Sequence, residues 1–149
     1  MVNYDLICQQ LSALTVGIPY EVANLANASA LLYDTLSDLN WAGFYLMEDG
    51  RLVLGPFQGK VACVEIEVGK GVCGTAVEQN ATMLVEDVHQ FPGHIACDGA
   101  SNSEIVVPIR KDGRVIGVLD IDSPKFSRFT EADQIGLEKF VQVLEKSVF

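Results

Sequence analysis

The sequence predicts an α+β fold, an antiparallel β-sheet flanked by helices, from a change of hydrophobic period along the chain and from two Asp-Gly turns. Apolar residues recur at helical spacing near both ends, whereas the middle consists of short apolar-rich runs. Asp49-Gly50 and Asp112-Gly113 each join two such runs, and a two-residue connection permits antiparallel pairing but no parallel crossover. The 149 residues are expected to form one domain over 1–149, large enough to bury a core without help from a disulfide or a metal.

The first helix is expected over about 4–15, with Ile7, Leu11 and Leu14 on one face. A second, over about 21–39, carries Val22, Leu25, Leu32, Leu36 and Leu39, and Pro19 marks the break between them. Strands follow at about 41–47 and 51–57, joined through Glu48-Asp49-Gly50, and then at 63–68 and 83–86 on either side of a short helix over about 72–79. The second Asp-Gly turn joins strands at 105–110 and 115–121. The last helix starts at Thr130, a candidate N-cap, with Glu131 and Asp133 in a first turn where the helix dipole favours acids. Its apolar face is Leu137, Phe140, Val141, Leu144 and Val148. No repeat, low-complexity tract or linker interrupts this order.

Charge excludes two classes of partner. At a net charge of -10 and a pI near 4.4, most of the surface repels nucleic-acid phosphates and anionic membranes. With 49% hydrophobic residues and a mean hydropathy of +0.25 the chain reads as a globule, yet no apolar run is long enough to span a bilayer. The N-terminus lacks a basic signal-peptide region, so a cytoplasmic location is expected.

Four cysteines, Cys8, Cys63, Cys73 and Cys97, are therefore expected in a reducing compartment, where catalytic, redox or metal use competes with plain burial. Cys97 lies in a long polar loop ahead of an apolar strand, in FPGHIACDGASNSEIVV, where packing does not require a thiol. Cys63 and Cys73 also fall at loop or element-terminal positions, so two or three thiols can converge on one pocket, and a thiol oxidised to sulfenic acid needs a second to resolve it. Cys8, beside Ile7 and Leu11, reads as packing.

A metal site is not expected. The cysteines are far apart, and only His94-x-x-Cys97 has close ligand spacing, so His89 and His94 read as loop polar groups or electrostatic partners of Cys97. Gly69-Lys70-Gly71-Val72-Cys73-Gly74 matches a dinucleotide fingerprint in letters only, because the antiparallel surroundings lack the βαβ unit that motif requires. Its glycines suit a tight turn into a helix N-terminus, which can bind a small anion. Asp120 and Asp122 project to one face of a strand by its period of two, and Glu104 begins the preceding strand. Clustered, the three acids would repel unless a cation binds or a proton is shared, which suggests a site for an ammonium group or a proton donor.

The segments LNWAGFYL, GPFQGKVACVEI, GKGVCGTA, FPGHIACDGASNSEIVVPI and GVLDIDSP together resemble the free methionine-(R)-sulfoxide reductases, which are built on a GAF domain. The resemblance implies a single GAF domain and thioredoxin-linked reduction of free methionine-(R)-sulfoxide with no bound cofactor. It implies that Cys97 is the nucleophile, Cys63 the main resolving thiol and Cys73 a third cysteine able to form a disulfide. Glu104, Asp120 and Asp122 would hold the polar end and sulfoxide group of the substrate, with Trp41 and Tyr45 as the pocket wall against its methyl end. Thioredoxin is the implied partner and a homodimer the implied assembly. Two other classes compete on the residues alone: a GAF sensor that binds a small ligand without turnover, and a thiol sensor oxidised by peroxide.

Overall fold

The computed structural model describes residues 1–95, 97 and 99–149, so Ala96 and Asp98 of the Cys97 loop lie outside the description. Helices α1 (Tyr4–Thr15) and α2 (Glu21–Thr35) precede strands β1 (Trp41–Glu48), β2 (Arg51–Gly59) and β3 (Glu65–Glu67). Helix α3 (Gly71–Gln79), strand β4 (Met83–Val85) and a 3-10 turn at Val88–Gln90 lead to strands β5 (Ser103–Lys111) and β6 (Arg114–Ser123) and to helix α4 (Glu131–Ser147). The strands form one sheet in the order β3-β2-β1-β6-β5-β4, and every pairing is antiparallel. Both Asp-Gly pairs make tight hairpins. Asp49, Gly50, Asp112 and Gly113 all have positive φ, the backbone twist that two-residue hairpin turns require.

The period-two alternation sorts the sheet into two faces. Phe44, Ile105, Val107, Ile109, Leu119 and Ile121 point to the side covered by α1, α2 and α4, and together with Leu25, Leu32, Leu137 and Phe140 they make the larger core. Trp41, Tyr45, Val106 and Val118 point to the other side, against Val72, Cys73 and Ala76 of α3. Of the four helices, only the short α3 packs on that side, and the polar positions of the central strands open onto a cavity there.

Helix α4 begins as its sequence suggests. Thr130 and Asp133 form a reciprocal capping box, and Thr130 N–H donates to Asp133 Oδ2 at 2.9 Å. Asp133 is buried and also receives the Tyr4 hydroxyl on Oδ1 at 2.6 Å and the Arg128 guanidinium on Oδ2 at 3.4 Å, which ties α1 to α4.

Several boundaries differ from the sequence expectation. Helix α2 stops at Thr35 instead of near Leu39, because Leu36 turns extended and Asp38 takes a left-handed φ of 59°. Val22 and Leu14, assigned to apolar faces by spacing, are 71% and 43% exposed. The strand expected over 63–68 shrinks to Glu65–Glu67, because β3 is an edge strand that meets β2 only at Arg51, Leu52 and Val53. The 3-10 turn at Val88–Gln90 has no counterpart among the expected elements, and Asp87 caps it by accepting the His89 N–H at 3.0 Å.

Replacing Asp133 by Ala removes the cap, leaves the Tyr4 hydroxyl without its acceptor and reduces the Arg128 guanidinium to its bond with Ser37 O, at an expected cost of about 2–4 kcal/mol. Urea unfolding measures this, and a loss below about 1 kcal/mol contradicts the role assigned to Asp133.

Candidate active site

Three central strands build the floor of the cavity by register. Trp41 of β1 is opposite Asp122 of β6, which is opposite Glu104 of β5; one row further, Gly43 is opposite Asp120, which is opposite Val106. Because paired positions in adjacent strands share a face, Glu104, Asp120 and Asp122 point the same way as Trp41 and Tyr45. Trp41 stacks on Tyr45 at 5.8 Å and on Phe57 at 5.1 Å between ring centroids. Gly43 makes that stack possible: a Cβ there would collide with the Phe57 side chain and lie 2.7 Å from its Cα, beside the bulge between Gly43 and Tyr45.

Above this floor stands the first turn of α3. Gly71 has a φ of 62°, and a Cβ on Gly74 would run into the Glu67 carbonyl oxygen, so the glycine motif serves a tight entry into the helix. Gly71, Val72 and Cys73 line the cavity from that turn, where the first N–H groups of a helix have no intrahelical acceptor. No acidic residue stands in the turn to occupy them.

The fourth side is the loop after Val88–Gln90. It brings His94, Ile95 and Cys97 to the cavity, and Cys97 is disulfide-bonded to Cys63, with Cα atoms 5.5 Å apart across 34 residues of sequence. Both cysteines are half-buried, and the bond lies at the cavity mouth. Tyr45 links the aromatic wall to this bond, since its hydroxyl donates to the Cys63 carbonyl oxygen at 2.9 Å.

Burial sets the protonation of the floor. Glu104 is 7% and Asp120 5% exposed. Burial, then the charges of Asp120 and Asp122, push the Glu104 carboxyl well above its ordinary value, and burial raises Asp120 although hydrogen bonds from Glu104 and Cys73 oppose the rise. The pair therefore retains a proton at pH values where isolated carboxylates have lost theirs. Among the described residues Asp120 Oδ1 has no hydrogen-bond partner, so the floor offers an acceptor as well as a donor. Cys73, fully enclosed, is held as a neutral thiol by burial and by the charges of Asp120, Glu104 and Asp122. Burial and the neighbouring His89 lower the pKa of His94, which favours the neutral imidazole.

Cys73, Glu104 and Asp120 offer donor atoms within 4.8 Å of one another and could hold a cation among the described residues. Their raised pKa values favour protons there instead, because metal ligands must be deprotonated. Neither His89 nor His94 belongs to that donor group.

The structure thus brings Cys97, Cys73, Glu104, Asp120, Asp122, Trp41 and Tyr45 onto one cavity and Cys63 to its edge. Cys8 is half-buried against the larger core, away from it. Ser101, buried at the cavity and accepting a hydrogen bond from Asn40 Nδ2 at 3.0 Å, escaped the sequence reading. A serine in a polar loop carries no signal of burial until the loop folds.

Comparison with known proteins agrees with this geometry. A GAF domain family model matches residues 23–144. The free methionine-R-sulfoxide reductase of Escherichia coli is 61% identical over 143 residues, covering 96% of this chain and 87% of that protein. Among solved structures, the reduced form of fRMsr of Staphylococcus aureus superposes with a TM-score of 0.96 at 54% identity, covering 100% of this chain and 97% of that one. The free methionine-R-sulfoxide reductase of Neisseria meningitidis in complex with its substrate superposes with a TM-score of 0.94 at 44% identity, covering 97% and 87%.

The raised carboxyls make a signed prediction. Folded Glu104 and Asp120 hold protons above the ordinary carboxylate values of 4.5 and 3.8, so the folded state binds more protons than the unfolded state in that window and loses stability as pH rises through it. Replacing Glu104 by Gln is expected to raise Tm at pH 8, to change it little at pH 4, and to flatten the slope between. Parallel Tm profiles for the two proteins contradict the buried-proton assignment.

Proposed function

Because the chain belongs to the free methionine-R-sulfoxide reductase family of GAF-domain oxidoreductases, we propose that it reduces free methionine-(R)-sulfoxide to methionine through Cys97 and Cys63. The observation that carries this reading is the Cys63–Cys97 bond at the mouth of a cavity whose floor keeps a proton on Glu104 and Asp120. We read residues 1–149 as one catalytic domain.

The Cys97 thiolate attacks the sulfoxide sulfur while the protonated floor donates to the sulfoxide oxygen as the S–O bond breaks. Oxygen moves to Cys97 as a sulfenic acid, and methionine leaves with its sulfur reduced. The Cys63 thiol then attacks Cys97 Sγ, water departs, and the disulfide closes. Two thiols have been oxidised for one sulfoxide reduced, so an external dithiol must restore them by exchange, and thioredoxin fits that role. Cys73 suits this first step poorly while the cavity is empty, because its thiol is held neutral and the thiolate is the nucleophile. It remains a candidate for a second disulfide.

The walls account for selectivity. Trp41 and Tyr45 offer an apolar surface for the methyl end, the acids a place for the ammonium and the oxygen, and the first turn of α3 backbone donors for the carboxylate. A peptide-bound methionine sulfoxide lacks both free charged groups, so this cavity favours the free amino acid. A homodimer in the cytoplasm is the setting we assign. No helix among the described residues is long and apolar enough to cross a membrane.

An NADPH-coupled assay with thioredoxin tests the scheme. Cys97→Ser is expected to lose the R-epimer activity by about a thousandfold or more, whereas Cys63→Ser releases about one methionine per subunit and stops. Peptide mass mapping after one equivalent of sulfoxide is expected to find the Cys63–Cys97 bond. Full activity in Cys97→Ser, or oxidation by peroxide with no sulfoxide turnover in the unmodified protein, overturns the proposal.

With the free substrate replaced by an N-acetylated, C-amidated methionine sulfoxide, the expected loss in kcat/KM is about a hundredfold or more. Equal rates on the two substrates contradict the roles given to the acids and to the α3 turn.

A further inference from the structure

The proposed cycle ends when an external dithiol opens the Cys63–Cys97 bond, and the two ends of that bond are placed differently. Cys97, on the arm between the 3-10 turn and β5, lines the cavity. Cys63 does not line it and lies at the rim, half-buried on the connection from β2 to β3. A protein reductant is too large to enter the cavity, so it approaches from the rim. Thiol–disulfide exchange proceeds by attack of a thiolate on one sulfur and expulsion of the other. Approach from the rim therefore reaches Cys63 and expels Cys97 as the thiolate that the next sulfoxide needs.

The surface around Cys63 suits a protein partner. Val61 and Val64 flank the cysteine in the chain and are 87% and 64% exposed, open apolar side chains beside a reactive bond. The main chain is open as well. The Val61, Ala62 and Cys63 N–H groups have no backbone acceptor among the described residues, while the Lys60 and Cys63 carbonyl oxygens accept from Trp41 Nε1 at 3.1 Å and the Tyr45 hydroxyl at 2.9 Å. The stretch is thus held from the cavity wall by its carbonyls and offers free donors to another extended chain. Charge points the same way on a chain of net charge -10. Lys60 and Lys70 are exposed and form no ion pair among the described residues, and both attract an incoming thiolate. Glu65, the nearest acid in sequence, is paired with Arg51 at 3.2 Å.

We propose that residues 61–64 are the docking surface for the dithiol reductant, a thioredoxin-type protein whose thiolate attacks Cys63 and not Cys97. The inference rests on the proposed cycle and adds the place and direction of its last step. The reductant's thiolate forms a bond with Cys63 Sγ as the Cys63–Cys97 bond breaks, and the electron pair leaves on Cys97 Sγ. The reductant's second thiol then attacks the reductant sulfur of this mixed disulfide. The electron pair returns to Cys63 Sγ, which takes up the proton that the second thiol has lost. The reductant ends as an intramolecular disulfide, and two electrons have passed to this chain. Covering Val61 and Val64 with apolar surface of the partner stabilises that encounter and gives nothing to a small dithiol.

The test starts from the oxidised protein and follows opening of the Cys63–Cys97 bond by reduced thioredoxin and, separately, by dithiothreitol. The double variant Val61→Ser, Val64→Ser is expected to lower the rate constant with thioredoxin about tenfold and to keep that with dithiothreitol within about twofold. Val22→Ser, at an exposed valine of α2, is expected to stay within about twofold with both. Thioredoxin with its second cysteine replaced by serine is expected to be trapped as a mixed disulfide, which acid quenching and peptide mass mapping find on Cys63 of the unmodified protein. A thioredoxin rate within twofold in the double variant, an equal loss with both reductants, or no reaction of the unmodified protein with thioredoxin overturns the docking surface. Trapping on Cys97 overturns the direction of attack. Methionine release in a single turnover needs no reductant, so its absence refutes the proposed activity while the thioredoxin rates still decide this surface.

Discussion

Register between β1, β6 and β5 is the constraint on which the rest of the structure depends. Strand side chains alternate strictly, so one pairing places Trp41, Asp122 and Glu104 in one row and Gly43, Asp120 and Val106 in the next, all facing α3. The intervening residues, Phe44, Ile105, Leu119 and Ile121, go to the opposite face and build the larger core. A slip by one residue would bury the acids under α1, α2 and α4 and expose the apolar set. The core that stabilises the sheet therefore also holds the carboxyl groups together, although their burial is itself unfavourable.

That cost explains the chemistry. A cluster of acids in contact with water would ionise and repel, but Glu104 and Asp120 are enclosed by α3, the aromatic wall and the Cys97 arm. Enclosure exchanges charge repulsion for a retained proton, and it keeps the Cys73 thiol neutral. The larger core and the Asp133 network between α1 and α4 offset this penalty from the far side of the sheet. Stability and function are thus divided between the two faces of one sheet.

The proposed nucleophile, Cys97, belongs to neither face of the sheet. Strands hold Glu104 and Asp120 close enough to share a proton, whereas a loop carries Cys97, which in the proposed scheme meets the substrate and then Cys63. The loop is nevertheless bounded at its base by Asn102, beside Ser103, whose hydroxyl donates to Lys125 O at 2.6 Å. Tyr45 performs the matching task for Cys63 by holding its carbonyl oxygen.

The sequence by itself determined the element order, both Asp-Gly hairpins and the cap of α4, because these depend on local backbone preferences and hydrophobic period. It also determined that Asp120 and Asp122 share a face, and it marked Cys97 as a thiol outside the core. The end of α2, the short β3 and the turn at Val88–Gln90 were decided by tertiary structure, since an edge strand lasts only as long as its partner and a helix ends where the chain must turn into a sheet. Period alone placed Val22 and Leu14 inside, yet both are exposed in the folded chain. Only the fold could bring Glu104 beside Asp122, set Ser101 against the cavity and close Asn102 on His89. Those contacts join residues distant in sequence, and their register and burial exist only once the strands have paired.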